Sequence, residues 1–347
     1  MQSIRKYAQE SGNHPIMTPI RSVAIKGEGD MKNLLTICIV CVFTAGSIAA
    51  QAQTSGSCDR KCLEGIADQY LAAMVAHDAS RAPFSKNVKF TENTVKLPLT
   101  EGLWFTASGL GAFKFYICDV QTGQVAWTGL AKEHDKPVLL SVRLKLENRQ
   151  ITEAESIVVR DVNEKILGNL KAPPPTFAEI LAPSERMSRE EMLRMPDIYF
   201  EALDKLNDSA IPWDKDAYRM ENGMVTCGTI PNAAPPLPGM PAATSCKTPD
   251  GIIPPMLKTI NNVLPRRTPV IDEEKGLTWG LYCFNHRGLA TIKMPDGTTR
   301  PSYAATPSSM PFADIFKTKN GKLRGIFAIG TMLPYGIGDG WSGPLFK

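Results

Sequence analysis

The 347-residue chain lacks the short motifs that mark the common enzyme chemistries. It contains no GxSxG, no HExxH, no Walker A phosphate loop, and no GxGxxG set between a strand and a helix. Serine-hydrolase, zincin, nucleotide and dinucleotide readings are thereby disfavoured. A charge excess is also missing. The formal net charge is +4, and +2 once the five Lys/Arg and three Asp/Glu of residues 1–52 are set aside. A balance so even gives no reason to expect nucleic acid or an anionic membrane as partner. Beyond one N-terminal segment, no apolar run is long enough to cross a bilayer.

That segment runs from Leu34 to Ala50, behind Met31-Lys32, and closes on the small-residue pattern Ala50-Gln51-Ala52. The layout is that of a secretory signal at 31–52, with Gln53 as the mature start. An uncleaved anchor is the competing reading, because the run is near the lower limit for a span. Residues 1–30 read as an upstream extension from a misassigned start. The expected location is secreted or periplasmic, with no membrane contact after cleavage.

Eight cysteines are present, of which Cys38 and Cys41 fall in the signal. The six others suit disulfides in an exported chain. Cys227 and Cys246 bracket a proline-rich insertion and are expected to be bridged. Cys58 and Cys62 lie one helical turn apart, so each is expected to pair elsewhere. Those six include no CxxC pair, and no close Cys/His cluster accompanies them, which weakens a zinc site. No metal and no cofactor are expected.

The main positive feature is a stretch written twice. Residues 68–93 and 197–222 align without a gap at an offset of 129. Identical pairs include Asp68/Asp197, Tyr70/Tyr199, Pro83/Pro212, Glu92/Glu221 and Asn93/Asn222. Two copies of one domain follow, at 53–160 and 187–347. Asp59 is a plausible N-cap for a helix reaching about Ala76, and Ser188-x-x-Glu191 is a capping-box pattern at the matching place. Pro196 should kink or restart the second helix near Asp197.

Strands are expected at Val88 to Glu92 and Ala217 to Glu221. Further strands follow at Val138 to Leu146, Ile151 to Arg160, Phe312 to Lys317 and Leu323 to Thr331. Val120 to Leu130 and Val270 to Asn285 also carry beta-type residues. The matches Asp119/Asp272 and Asn148/Asn320 extend the repeat at offsets of 153 and 172. Residues 161–186 hold Pro173-Pro174-Pro175 and Pro183, and read as a stiff, extended linker.

Helix, turn, strand and then long antiparallel strands make an α+β order. The helix followed by His77-Asp78, the strand Val88 to Asn93 and the hairpin around Leu144 to Ile151 resemble the nuclear transport factor 2-like (SnoaL-like) superfamily. More narrowly, four motifs resemble a secreted fungal and bacterial family of unknown function with two such domains. They are Ala76-His77-Asp78, Phe90-Thr91-Glu92-Asn93, Arg266-Arg267 before Val270-Ile271-Asp272-Glu273-Glu274, and Pro334 to Trp341. The resemblance implies two tandem cone-shaped domains, each a curved antiparallel sheet wrapped on a long helix. It also implies a pocket for small apolar molecules, with acid/base chemistry in some members and only binding or assembly in others.

Candidate residues carry two readings each. Glu92 and Glu221 are either pocket carboxylates acting as acid or base, or strand ends leading into an Asn turn. His77-Asp78 is a polarised imidazole or a helix terminus. His286 could stand at a pocket mouth, whereas His134 lies in a polar hairpin loop. Tyr199 and Trp213 line an aromatic pocket or fill a core. Arg266 and Arg267 clamp an anionic group of a ligand, or pair with Asp272, Glu273 and Glu274. Arg143 faces solvent, or forms an ion pair inside the cone. Two functions stay open: cofactor-independent lyase, isomerase or hydrolase chemistry on a small apolar or aromatic molecule, or a non-catalytic binding or assembly module.

Overall fold

In the computed structural model, residues 58–235, 244–248, 255–294 and 296–342 are described. The expected signal segment and upstream extension lie outside them. The first long helix, α1 (Arg60–Val75), starts at the N-cap Asp59, whose side chain accepts from the backbone N–H of Cys62. Leu63, Ile66, Tyr70 and Met74 recur at helical spacing and are buried. The chain leaves α1 through His77 at φ 54°, and Asp78 then accepts from the N–H of Ser80. The second long helix, α4 (Arg189–Asp204), repeats this plan. Ser188 and Glu191 close a capping box, Leu206 has φ 51°, and Asn207 accepts from the N–H of Ser209. Here α4 runs through Pro196 without restarting. One lost N–H bond is outweighed by the burial of Met192, Met195, Tyr199 and Phe200 against the sheet behind them.

After α1 come β1 (Phe84–Glu92), β2 (Val95–Lys96), the short helix α2 (Leu103–Thr106), β3 (Ala107–Asp119), β4 (Gln124–Glu133), β5 (Lys136–Glu147) and β6 (Gln150–Val159). A connecting segment holds the short helix α3 (Pro175–Ala178). After α4 come β7 (Trp213–Glu221), β8 (Met224–Cys227), β9 (Asn262–Asp272) and β10 (Leu277–His286). Next are a small hairpin of β11 (Thr291–Lys293) and β12 (Thr299–Pro301), then β13 (Ser308–Lys319), β14 (Lys322–Gly330) and β15 (Leu333–Pro334). The strand orders are β2-β1-β6-β5-β4-β3 and β8-β7-β14-β13-β10-β9, with β15 beside β13. Both sheets are mixed rather than wholly antiparallel, since β1 pairs β6 and β7 pairs β14 in parallel. Asn93 explains the first of these joins. At φ 47° it bonds the backbone of Val158 in both directions, and Asn222, also at φ 47°, does the same to Gly330. The whole of β3, and the start of β9, fall outside the strands expected from the sequence. Both are Gly- or Pro-containing outer strands of their sheets.

Three apolar clusters set the layers. One lies between α1 and the first sheet, another between α4 and the second sheet, and a third between the two sheets. Phe113, Phe115, Ile117 and Leu139 meet Trp279, Ile315 and Phe327 in that third cluster. The contact between the halves is reciprocal. Arg60, first residue of α1, binds Asp272, while Arg189, first residue of α4, binds Asp119. Asp272 also accepts from the N–H of Cys118, and Asp119 from that of Ile271. In each case residue i of one half meets j of the other, as in a two-fold interface.

Segment 161–186 is not an extended spacer. It folds into short helical turns, and Ile166, Leu170, Phe177 and Leu181 are buried. The prolines restrict its backbone, but those four side chains hold it on the protein. Leu170 closes on Gly223. The C-terminal segment makes the matching move, with Gly340 against Thr94 and the Trp341 indole donating to Thr91.

The Cys227–Cys246 bridge is present. Cys58 and Cys62 are bridged to each other, contrary to expectation. Cys58 precedes the N-cap, where the backbone is extended, and the two Cα atoms come within 5.2 Å. Cys118 and Cys283 are free and buried, and burial pushes each thiol up to about 12.

Candidate functional site

Alternation along β13 turns Phe312, Asp314 and Phe316 toward α4, and Ala313 and Ile315 toward the other sheet. Asp314 is only 1% exposed, and neither carboxylate oxygen has a hydrogen-bond partner. Burial pushes its pKa up from 3.8 to about 7, against the pull of Arg219, and Glu221 adds to the rise.

Arg219 and Glu221 come from β7, on the same side. Nη1 of Arg219 donates to Glu221 Oε2 at 2.6 Å and to Thr226 Oγ1 at 3.1 Å. Its Nε is buried without an acceptor. Tyr199, midway along α4, interacts with Arg219, Asp314 and Glu221. Burial raises its phenol pKa, and Arg219 opposes the rise. The Tyr199 ring meets Trp213 and Phe316 edge to face, and the Trp213 indole N–H is buried without a partner.

His286 ends β10. Its Nδ1 lies 3.1 Å from the carbonyl oxygen of Thr259, and its ring meets Tyr303 edge-on at 5.5 Å. Burial lowers its pKa from 6.5, so the imidazole is neutral at pH 7. Tyr303 is about half exposed and interacts with Glu221 and Arg219. The second half therefore brings together Tyr199, Trp213, Glu221 and, through Tyr303, His286.

The remaining candidates lie elsewhere. Glu92 is buried, accepting from the N–H of Leu103 at 2.7 Å and from Arg160 at 2.9 Å. It anchors the start of α2. Nδ1 of His77 contacts the carbonyl oxygen of Trp104. Arg266 pairs with Asp204 and Asp197 of α4, and Arg267 with Glu155 and Asp339. Neither meets Asp272, Glu273 or Glu274. The turn between β9 and β10 directs those acids to Arg60 and Arg189 of the two helix starts. Arg143 does form ion pairs, with Glu155 and Glu153, but on the face of the sheet opposite α1. A cleft of about 510 Å³ on α4, lined by Ile198, Glu201, Lys205 and Asn207, includes neither Asp314 nor Arg219. Among the described residues no His/Cys/Asp/Glu group could hold a metal, and no helix is long and apolar enough to cross a membrane.

Asp314 and Arg219 were not singled out from the sequence, although each carries a signal. Asp314 breaks an apolar alternation between Phe312 and Phe316, and Arg219 stands between Tyr218 and Met220, which face the other way. A charge on the helix-facing side of such a strand is buried whenever the strand is central.

Residues 185–330 match a family described as a domain of unknown function (DUF8021). The matched segment runs from just before α4 to the end of β14, so it contains the whole polar group around Asp314. It covers less than half of the chain. Comparison with curated proteins and with solved structures found no match.

Proposed function

We propose that the second half holds a small molecule between α4 and its sheet, and that Asp314 exchanges a proton with it. The observation carrying this reading is a central-strand carboxyl with no partner, in a segment otherwise lined by Tyr199, Trp213, Phe312 and Phe316. A folded chain keeps such a group at a cost to stability, which is typical of sites rather than of cores. With a pKa near neutrality, Asp314 is able to accept and return a proton. Arg219 and the Tyr199 hydroxyl are placed to stabilise negative charge developing on a ligand oxygen. The reaction class is cofactor-independent lyase, isomerase or hydrolase chemistry. This reading moves the centre from Glu92 and His286 to Asp314, with Glu221 orienting Arg219.

The finer architecture belongs to the same proposal: two cone-type halves of nuclear transport factor 2-like shape in an exported protein. A long helix lying on a six-strand path of the same order, twice, supports the first part. The signal layout and two disulfides support the second. The first half we read as the assembly module. Its Glu92 is committed to α2 and its helix-facing interior holds Trp104 and Trp127.

The test is carbon-detected NMR of the Asp314 carboxyl, assigned with Asp314→Asn, joined to a thermal-shift screen against small aromatics. The expected result is titration near pH 7 that moves when a hit is added. Titration in the ordinary carboxylate range, unmoved by every compound, rejects the proposal.

A further inference from the structure

The unsatisfied atoms of this site describe what it would take. Two donors lack acceptors, Arg219 Nε and Trp213 Nε1, and one carboxyl lacks any donor, that of Asp314. Tyr199 links the three, because its ring meets Trp213 and it interacts with both charged groups. Arg219 already has its charge matched by Glu221 at 2.6 Å. The site therefore has no surplus positive charge for an anionic ligand, and a carboxylate would be repelled by Glu221 and by ionised Asp314. A hydrocarbon leaves all three groups unpaired. A simple carbonyl compound serves the donors and leaves Asp314 bare.

We infer that the ligand is a neutral aromatic molecule with a hydroxyl and a carbonyl on neighbouring carbons, the carbonyl oxygen accepting from Arg219 and Trp213 and the hydroxyl donating to Asp314. The inference rests on the second half being a binding site, and supplies the substrate class for it. A site built around buried polar groups rejects analogues that lack the matching atom far more strongly than an apolar pocket rejects a missing methylene.

The experiment is calorimetric titration of the full chain with 2-hydroxy-1-phenylethanone, acetophenone and ethylbenzene. These are similar in size and differ in the two polar groups. The hydroxy ketone is expected to bind about tenfold tighter than acetophenone, and acetophenone tighter than ethylbenzene. In Asp314→Val, which takes the residue found at the matching place in the first half, the preference for the hydroxyl is expected to vanish while acetophenone binding persists. Equal affinity for all three probes, or a hydroxyl preference that survives in Asp314→Val, overturns the ligand class and leaves the site standing. Failure of all three probes overturns it too. If Asp314 also titrates as an ordinary carboxylate, the site reading falls with it.

Discussion

Trp127 of β4 and Gly280 of β10 occupy matching places, each facing α1 or α4 and each paired to the matching residue of the next strand. That next residue is Val142 in one half and Asp314 in the other. Two strands away, Phe90 corresponds to Arg219. The same scaffold thus carries Trp, Val and Phe in one interior and Gly, Asp and Arg in the other. Tyr70 and Tyr199 occupy the same position in both. Tyr70 accepts from the Trp104 indole at 3.0 Å, whereas Tyr199 interacts with a guanidinium and a carboxyl. Among the described residues of the first half one indole N–H, that of Trp127, goes without a partner, but no buried carboxyl does. Once a fold is present twice, one copy can be packed for stability while the other retains charges that a core would not tolerate.

The contrast can be broken from either side. Trp127→Ala opens a hole in the filled interior and is expected to cost about 4 kcal/mol, read as a lower urea midpoint. A loss under about 1 kcal/mol would mean that the first interior is not close-packed. Asp314→Val should act in the opposite direction. The folded protein keeps a proton on Asp314 that the unfolded chain releases between about pH 4 and pH 7, so stability falls as pH rises through that window. Above pH 7 the cost is complete, at most roughly 4 kcal/mol. Asp314→Val should therefore stabilise the protein most at pH 8 and hardly at all near pH 4. Denaturation at both values checks this, and a pH-independent effect contradicts it.

Two further tests address what the halves share. Asp119→Ala and Asp272→Ala each remove an arginine's two-point partner and the acceptor of a backbone N–H in the opposite half, leaving Glu273 3.8 Å from Arg189 and Glu274 2.8 Å from Arg60. Each should cost about 3 kcal/mol, and the two losses should agree within about 1 kcal/mol. Asn93→Ala and Asn222→Ala each remove two bonds to the backbone of the parallel neighbour, for about 2 kcal/mol apiece. Unequal losses in either pair, measured by chemical denaturation, would show that the matching geometry is not matched in energy.

The parts legible in the sequence were those governed by local chemistry. Asp59, Ser188 and Glu191 mark helix starts through bonds within one turn, and Asn148 and Asn320 mark hairpin turns through positive φ. The parts that stayed hidden depend on what lies across a sheet. Nothing near Arg60 or Arg189 announces a carboxylate in the other half. For Arg266 and Arg267 the sequence offers a ligand's anionic group or acids close by, while their partners in the structure lie about 60 to 110 positions away. Asp314 was passed over because its meaning comes from β13 being a central strand, which the strand order reveals and the local sequence does not.

The reciprocal contact also governs how the protein is made. Phe113, Phe115, Ile117 and Leu139 share a cluster whose members beyond the first sheet begin at Val162 and Leu170, and the last of them, Ile329, lies in the final long strand. A polypeptide emerging N-terminus first at about 5–20 residues per second needs roughly 10–35 s to pass from Val159 to Ile329. For that interval the leading half presents a bare greasy sheet to whatever surrounds it. A first sheet that formed alone would carry an uncovered apolar face, so its folding is completed only when the second sheet arrives.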